Sequence, residues 1–267
     1  FNRLSIGLQA WQDNLLKNIG RIHSLNDFIK IYQAGRSAGF SNQGIDIIYG
    51  LPGQKVQEWA ETLKEVVSLQ PEHISAYGLQ LEAGARLAKD VELGLIQLPS
   101  EDEVVEMMNL TMEYLPNNGY RHYEISNYAK PEFESVHNMR YWRGYDYLGF
   151  GAGAYSTVNG ERWYNIKEPG DYIDALSKGD FPIKSREKLE PKTRAAEALM
   201  LGLRLRNGLN LNEFKAEYGI DLQKTAEPYL TSLLEQKLLS VNDSCLALTN
   251  AGIRLSNSVI SSLFFGI

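Results

Sequence analysis

One acid stands inside an otherwise apolar run: Asp46, in Ile45-Asp46-Ile47-Ile48-Tyr49-Gly50-Leu51-Pro52-Gly53-Gln54. A carboxylate in such a strand is costly to bury unless it is paired, hydrated or bound to a ligand. The Gly-Pro-Gly loop behind it lets backbone approach something at the strand's carboxyl end. Gln9 and Gln80 fall on or near the ends of two further strand-like runs, and Arg21 follows the first of these in Gly20-Arg21-Ile22-His23. On open parallel sheets and barrels, ligands gather at those carboxyl ends. Arg21 suits two partners, Asp46 or the carboxylate of a ligand, since its planar fork offers two parallel hydrogen bonds. The alternative is a structural Asp–Arg pair with no ligand.

A second group is aromatic. His137-Asn138-Met139-Arg140-Tyr141-Trp142 is followed by Tyr145, Tyr147, Phe150, Tyr155, Trp163 and Tyr164. Such a surface holds a flat hydrophobic ligand, or is simply core. His137 has the neutral imidazole that ligates a metal or haem iron; a hydrogen-bonded structural histidine is the plainer reading. His23, His73 and His122 show no metal-ligand spacing. Gly149-Phe150-Gly151-Ala152-Gly153 misses the dinucleotide fingerprint, because its third glycine is wrongly spaced and no helix pattern opens after it. It reads better as a Gly-rich strand that admits a ligand or neighbouring backbone. No Ser-His-Asp or Cys-His arrangement is discernible, so no catalytic residue is assigned.

These residues need a scaffold. Arg3–Gln9 alternates, with Leu4, Ile6 and Leu8 on one side and Arg3, Ser5, Gly7 and Gln9 on the other, as in a cavity wall or an edge strand with one wet face. Ser24-Leu25-Asn26-Asp27 is a capping-box pattern that opens a helix stopping near Gly39. The strand Ile45–Tyr49 follows, then a helical stripe through Val56, Trp59, Leu63, Val66 and Val67, ended by Pro71, then a strand over His73–Leu81. This is the order of parallel βαβ units. Three strands make a thin parallel sheet, and the first begins at the start of the chain, so further strands are expected upstream. A second capping box at Ser100–Glu103 leads a helix that ends before Gly119. Residues 119–167 read as irregular and strand-like, with a short helix over Pro169–Leu176. Charged residues crowd together over Pro182–Pro191, where a linker is expected. Beyond it, helices over 191–206, Leu211–Tyr218 and Leu222–Gln236, strands Leu238–Val241 and Cys245–Leu248, and a last helix over about 250–263 suggest a winged-helix-like domain. The expected domains are therefore 1–181 and 182–267.

Composition bounds the rest. The 267 residues are 43% hydrophobic, with a formal net charge of -6, which gives no reason to expect a nucleic-acid partner. Lys224, Glu227, Glu235 and Lys237 leave the recognition-type helix balanced, which favours protein packing over phosphate contact. No apolar run approaches the ~20 residues that span a bilayer. Cys245 is the one cysteine, which fits a reducing, cytoplasmic compartment and cannot supply the several thiolates of an iron–sulfur cluster.

Asn2–Gln9, Gly20–His23, Ile45–Gln54, Tyr123-Glu124-Ile125-Ser126-Asn127, His137–Trp142 and Gly149–Ser156 together resemble, in order, the oxygen-independent coproporphyrinogen III oxidase family of radical S-adenosylmethionine (SAM) proteins. Tyr123–Asn127 and His137–Trp142 look like its haem-chaperone, HemW-like branch. The resemblance covers nearly the whole chain. It implies an α/β fold: the later strands of a partial (β/α)6 TIM-like barrel plus a helical, winged-helix-like C-terminal domain. It implies SAM contacts at Gln9, Arg21 and Asp46, with Gln80 and Tyr155 as further ones, and His137 as haem ligand. The cysteines of the family's [4Fe-4S] cluster would lie upstream of Phe1, and Tyr155 stands where the chaperone branch usually carries His. The implied function is a chaperone passing haem to an acceptor protein, which includes a peripheral membrane acceptor. The alternatives are an oxidative decarboxylase of coproporphyrinogen III and a cluster-free fragment acting only in protein contact.

Overall fold

The computed structural model describes all 267 residues apart from the side chain of Phe265. The chain divides into two compact units, Phe1–Glu134 and Ser135–Ile267.

The first unit is built on a five-stranded sheet. β1 (Leu4–Gln9) leads through α1 (Asp13–Asn18) and α2 (Leu25–Ser37) to β2 (Gln43–Tyr49), and α3 (Val56–Ser68) leads to β3 (His73–Gly78). These three strands are parallel and adjacent in the order β1-β2-β3. α4 (Arg86–Glu92) and the long α5 (Glu101–Asn117) precede β4 (Arg121–Glu124) and β5 (Asn127–Ala129). The last two form a hairpin whose second strand pairs antiparallel with β3, so the Tyr123–Asn127 motif makes the turn at this edge. Both capping boxes form. Ser24 Oγ accepts from the Asp27 amide at 3.3 Å and Ser100 Oγ from that of Glu103 at 3.2 Å, and each acid side chain accepts from the cap's own amide. These reciprocal bonds satisfy donors that a helix start leaves bare. The backbone bond from the cap serine, followed by the bond from its hydroxyl, lowers the pKa of both acids.

Alternation sorts the sheet's two faces. Leu8 of β1, Ile45, Ile47 and Tyr49 of β2, and Ile74 and Ala76 of β3 pack against Phe28 and Tyr32 of α2, Trp59, Leu63 and Val66 of α3, and Met107 and Leu115 of α5. Trp59 is wholly buried, and its Nε1 donates to the Met107 carbonyl at 3.0 Å and to Thr111 Oγ1 at 2.9 Å. The opposite face carries Ser5, Gly7, Gly44, Asp46, His73 and Ser75.

The second unit begins with α6 (Val136–Trp142), which holds the His137 motif on a helix where irregular chain was expected. β6 (Tyr155–Val158), β7 (Glu161–Asn165) and β8 (Ile183–Lys188) make an antiparallel sheet, with α7 (Pro169–Ser177) between the last two. β8 replaces the expected linker. Its alternate charges are those of an exposed edge strand, where Arg186 pairs with Glu161 across the sheet at 3.3 Å. Arg162 of β7 grips Glu197 of α8 (Pro191–Gly202) with two bonds of 2.9 and 2.6 Å. The chain then runs through β9 (Leu209–Asn210), α9 (Leu211–Tyr218), α10 (Leu222–Thr225), α11 (Glu227–Glu235), β10 (Leu239–Asn242), β11 (Cys245–Leu248), α12 (Asn250–Arg254) and α13 (Ser256–Leu263). The single helix expected over Leu222–Gln236 is broken at Ala226, where Pro228 opens a new first turn. β10 and β11 close a tight hairpin on Asp243 and Ser244, both in the left-handed region, and β9 pairs with the other edge of β11, giving a winged-helix-like arrangement. Among the described residues, no helix is long and apolar enough to cross a membrane.

Candidate functional site

The parallel register brings two of the candidate residues of the first unit together. Gly7 stands opposite Asp46, and Ser5 opposite Gly44. Asp46 therefore lies on the polar face of the sheet, half-buried, and not in the core beneath the helices. Ser5 Oγ donates to its two carboxylate oxygens at 3.0 and 3.1 Å. Of the two partners open to Arg21, Asp46 is not taken: Arg21 is exposed and makes no ion pair among the described residues, and the serine hydroxyl fixes the carboxylate instead. The polar row continues across the sheet, with Ser75 beside Asp46 and Asn127 beside Ser75. Asn127 donates to the buried Glu124.

Gln9 closes β1 through an irregularity in the register, with a positive φ of 71°. This turns its side chain back over Gly7, so that a Cβ on Gly7 would run into the Gln9 amide. Gly7 thus has the Gln9 amide above it and Asp46 opposite. The turn carrying Arg21 is pinned to the same strand end, for His23 Nε2 lies 3.3 Å from the Leu8 carbonyl. The loop after β2 is equally fixed. Gly50 and Gly53 have φ near +77° and +74°, Leu51 N donates to Gln54 Oε1 at 3.1 Å, and Asn18 donates to the Pro52 carbonyl at 3.1 Å. β3 ends at Gly78, three residues earlier than the expected Leu81, and leaves Gln80 exposed in the loop beyond it.

His73, at the other end of this face, is buried with Nε2 2.7 Å from Tyr123 Oη. Burial, and then the charge of Arg3, push its pKa down to about 3. The folded value lies below the unfolded value of 6.5, so the unfolded chain takes up a proton that the folded chain refuses. This contribution to stability is complete above about pH 6.5 and is lost as the pH falls toward 3. Acids held low, such as Asp27, lose theirs only below about pH 4.5. Denaturant unfolding between pH 6.5 and 4.5 is therefore expected to show a loss on the order of 2 kcal/mol that His73→Gln flattens. A wild-type slope that survives the substitution would rule out His73 as its source.

In the second unit, His137 is exposed on α6, its ring set edge-on to Tyr141 at 4.9 Å, and Tyr141 meets Tyr147 in the same way at 4.7 Å. Tyr147 bridges to Thr157, which shares a face of β6 with Tyr155. Tyr155 stacks on Tyr164 at 5.2 Å, and Arg140 lies over the Tyr145 ring at 5.5 Å. Val136, Leu148 and Phe150 are well exposed, Phe150 at 86%. The Gly149–Gly153 segment spends its polar groups within the unit. Gly149 N donates to Ser156 Oγ, Gly151 N to Tyr172 Oη, Gly153 N to the Ile166 carbonyl, and the Gly151 carbonyl accepts from Asn165. A Cβ at Gly149 would strike the Tyr155 carbonyl, so this glycine serves close backbone approach and not phosphate binding. Cys245 lies on β11, and among the described residues no group of three His, Cys, Asp or Glu is placed to hold a metal ion.

Sequence reasoning placed Ser5 on the cavity side of β1 but missed its bond to Asp46. Strand alternation combined with a parallel register of Gly7 on Asp46 would have found it.

Comparison with known proteins identifies two matched regions. Residues 1–66 match the radical SAM superfamily and residues 189–255 the HemN C-terminal domain. The chain is 34% identical to "Heme chaperone HemW" of Bacillus subtilis over 98% of its own length and 69% of that protein. It is 35% identical to the protein of the same name from Lactococcus lactis, over 97% and 68%. A solved structure of the radical SAM enzyme coproporphyrinogen III oxidase (HemN) from Escherichia coli superposes with a TM-score of 0.80 at 22% identity, covering 98% of this chain and 64% of that one. The chain thus spans about two thirds of the length of these relatives. The shared fold makes β1–β3 part of a partial barrel, and the winged-helix-like C-terminal region is the part that matches the HemN C-terminal domain.

Proposed function

Because the chain belongs to the HemW haem-chaperone family of radical SAM proteins, we propose that it binds haem and hands it to an acceptor protein, with SAM as a cofactor. The observation that carries the SAM part is the preset carboxylate of Asp46, midway along β2 and opposite Gly7, over which the Gln9 amide folds back from the end of β1. SAM offers an ammonium, a carboxylate and ribose hydroxyls. A carboxylate, an amide and the guanidinium of Arg21 match those groups in kind. Gln80 is the further contact of this reading within the first unit. Bound at a reduced [4Fe-4S] cluster, SAM is open to reductive cleavage. The residues of this chain bind and orient, and the hard chemistry belongs to the cofactor. With Cys245 as its one cysteine, these 267 residues do not supply the cluster's several thiolates.

Haem is the cargo. In this reading His137, exposed on α6 and edge-on to Tyr141 in a series that continues to Tyr147, is the iron ligand, the exposed Val136, Leu148 and Phe150 supply apolar contact, and Arg140 is a cation for a propionate. In this reading the site of action is the cytoplasm, and the formal net charge of -6 gives no reason to expect a nucleic-acid partner. In this reading the region that matches the HemN C-terminal domain, residues 189–255, is the module of protein contact. Haem titration of the full-length protein followed by Soret absorbance tests the reading. Wild type is expected to saturate at one haem per chain, and His137→Ala to lose the ligand-shifted band. An unchanged spectrum and affinity in the variant would remove His137 as the ligand.

A further inference from the structure

We infer that Ser5 is a positioning residue that sets the plane of the Asp46 carboxylate for SAM, an inference that rests on the SAM reading above. β1 and β2 make a square of four positions on the polar face, with Ser5 opposite Gly44 and Gly7 opposite Asp46. The two side chains occupy one diagonal and the two glycines the other. The Ser5–Asp46 bond crosses this square. A Cβ at Gly44 would stand 3.3 Å from Ser5 Oγ and crowd the donor, and one at Gly7 would strike the Gln9 amide. The square is thus cleared for one diagonal contact and for the Gln9 side chain.

The contact does something that packing does not. The terminal torsion of an aspartate is broad and roughly two-fold, so strand geometry alone leaves the carboxylate plane loosely set. Ser5 Oγ reaches Oδ1 at 3.0 Å and Oδ2 at 3.1 Å, and a donor shared between the two oxygens fixes that plane. No ion pair competes for Asp46 among the described residues, and Ser75, its neighbour on the other side, makes no bond to it. The remaining lone pairs stay available to donors of a ligand. Ser5 acts through Asp46 and needs no contact with the cofactor itself.

Two variants of equal shape separate the hydroxyl from the packing: Ser5→Thr keeps it, and Ser5→Val replaces it with a methyl group. SAM affinity is measured by calorimetry on the full-length, cluster-reconstituted protein without reductant, together with thermal midpoints. Ser5→Val is expected to bind roughly five- to tenfold more weakly. Ser5→Thr is expected to stay within about twofold of wild type, with all midpoints alike. Wild-type affinity in Ser5→Val, or an equal loss in Ser5→Thr, overturns the inference. Ser5→Ala repeats the test if the valine variant does not fold. Asp46→Asn keeps the two readings apart. Weakened binding there with none in Ser5→Val leaves Asp46 in the site and removes Ser5, whereas undiminished binding in Asp46→Asn removes the SAM contact itself.

Discussion

Gly7→Ala is expected to weaken SAM binding roughly five- to tenfold, the equivalent of one lost polar contact at about 1–1.4 kcal/mol, and to leave the fold intact. The new methyl group meets the Gln9 side-chain amide on one side and stands opposite Asp46 on the other. What it displaces is the far end of a flexible side chain and not backbone, so stability should change little. Calorimetric titration with SAM and a thermal melt of the same sample read the two quantities separately. A variant that binds SAM normally would show that the folded-back Gln9 is not a contact. A variant that unfolds would show that Gly7 serves packing instead.

Trp59→Ala is expected to cost about 3–5 kcal/mol of unfolding free energy, the range for removing a fully buried large aromatic. Trp59 is wholly enclosed between α3 and α5, ties the two together through Met107 and Thr111, and lies 5.5 Å from the Tyr49 ring at the end of β2. The loss therefore combines a cavity with the unmaking of two hydrogen bonds, and it falls on the strand that carries Asp46. Trp59→Phe keeps most of the volume and loses the bonds, for about 1–2 kcal/mol. Denaturant unfolding monitored by circular dichroism checks both. A cost below about 1 kcal/mol for the alanine variant would mean that the helices do not depend on this contact.

The sequence makes some of this legible. Asp46 announces itself as a lone charge in an apolar strand, the serine–acid spacing of the two capping boxes marks where α2 and α5 start, and the order of strands and helices gives the parallel β1-β2-β3 sheet. Other features stay hidden for identifiable reasons. α1 and α4 span six and seven residues, too short for a helical period to stand out. α6 is masked by aromatics and by the glycines that follow it, although Ser135 caps it by accepting from Asn138 N. β8 carries Lys184, Arg186, Glu187 and Lys188, a composition that resembles a solvated linker until the partner strand is known. The site is divided in the same way. Residue types nominate Gln9, Arg21 and Asp46, but the bond partner of Asp46 depends on register. Local sequence suggests Arg21, whereas the register of β1 on β2 puts Ser5 within reach.

The role assigned to the protein is a haem carrier and not a decarboxylase. The most direct measurement is anaerobic incubation of the full-length, cluster-reconstituted protein with SAM, a reductant and coproporphyrinogen III, with porphyrin products separated by chromatography. The expected result is that coproporphyrinogen III is recovered unchanged from protein that binds haem in a parallel titration. Formation of the decarboxylated porphyrinogen at catalytic turnover would contradict the haem-chaperone reading.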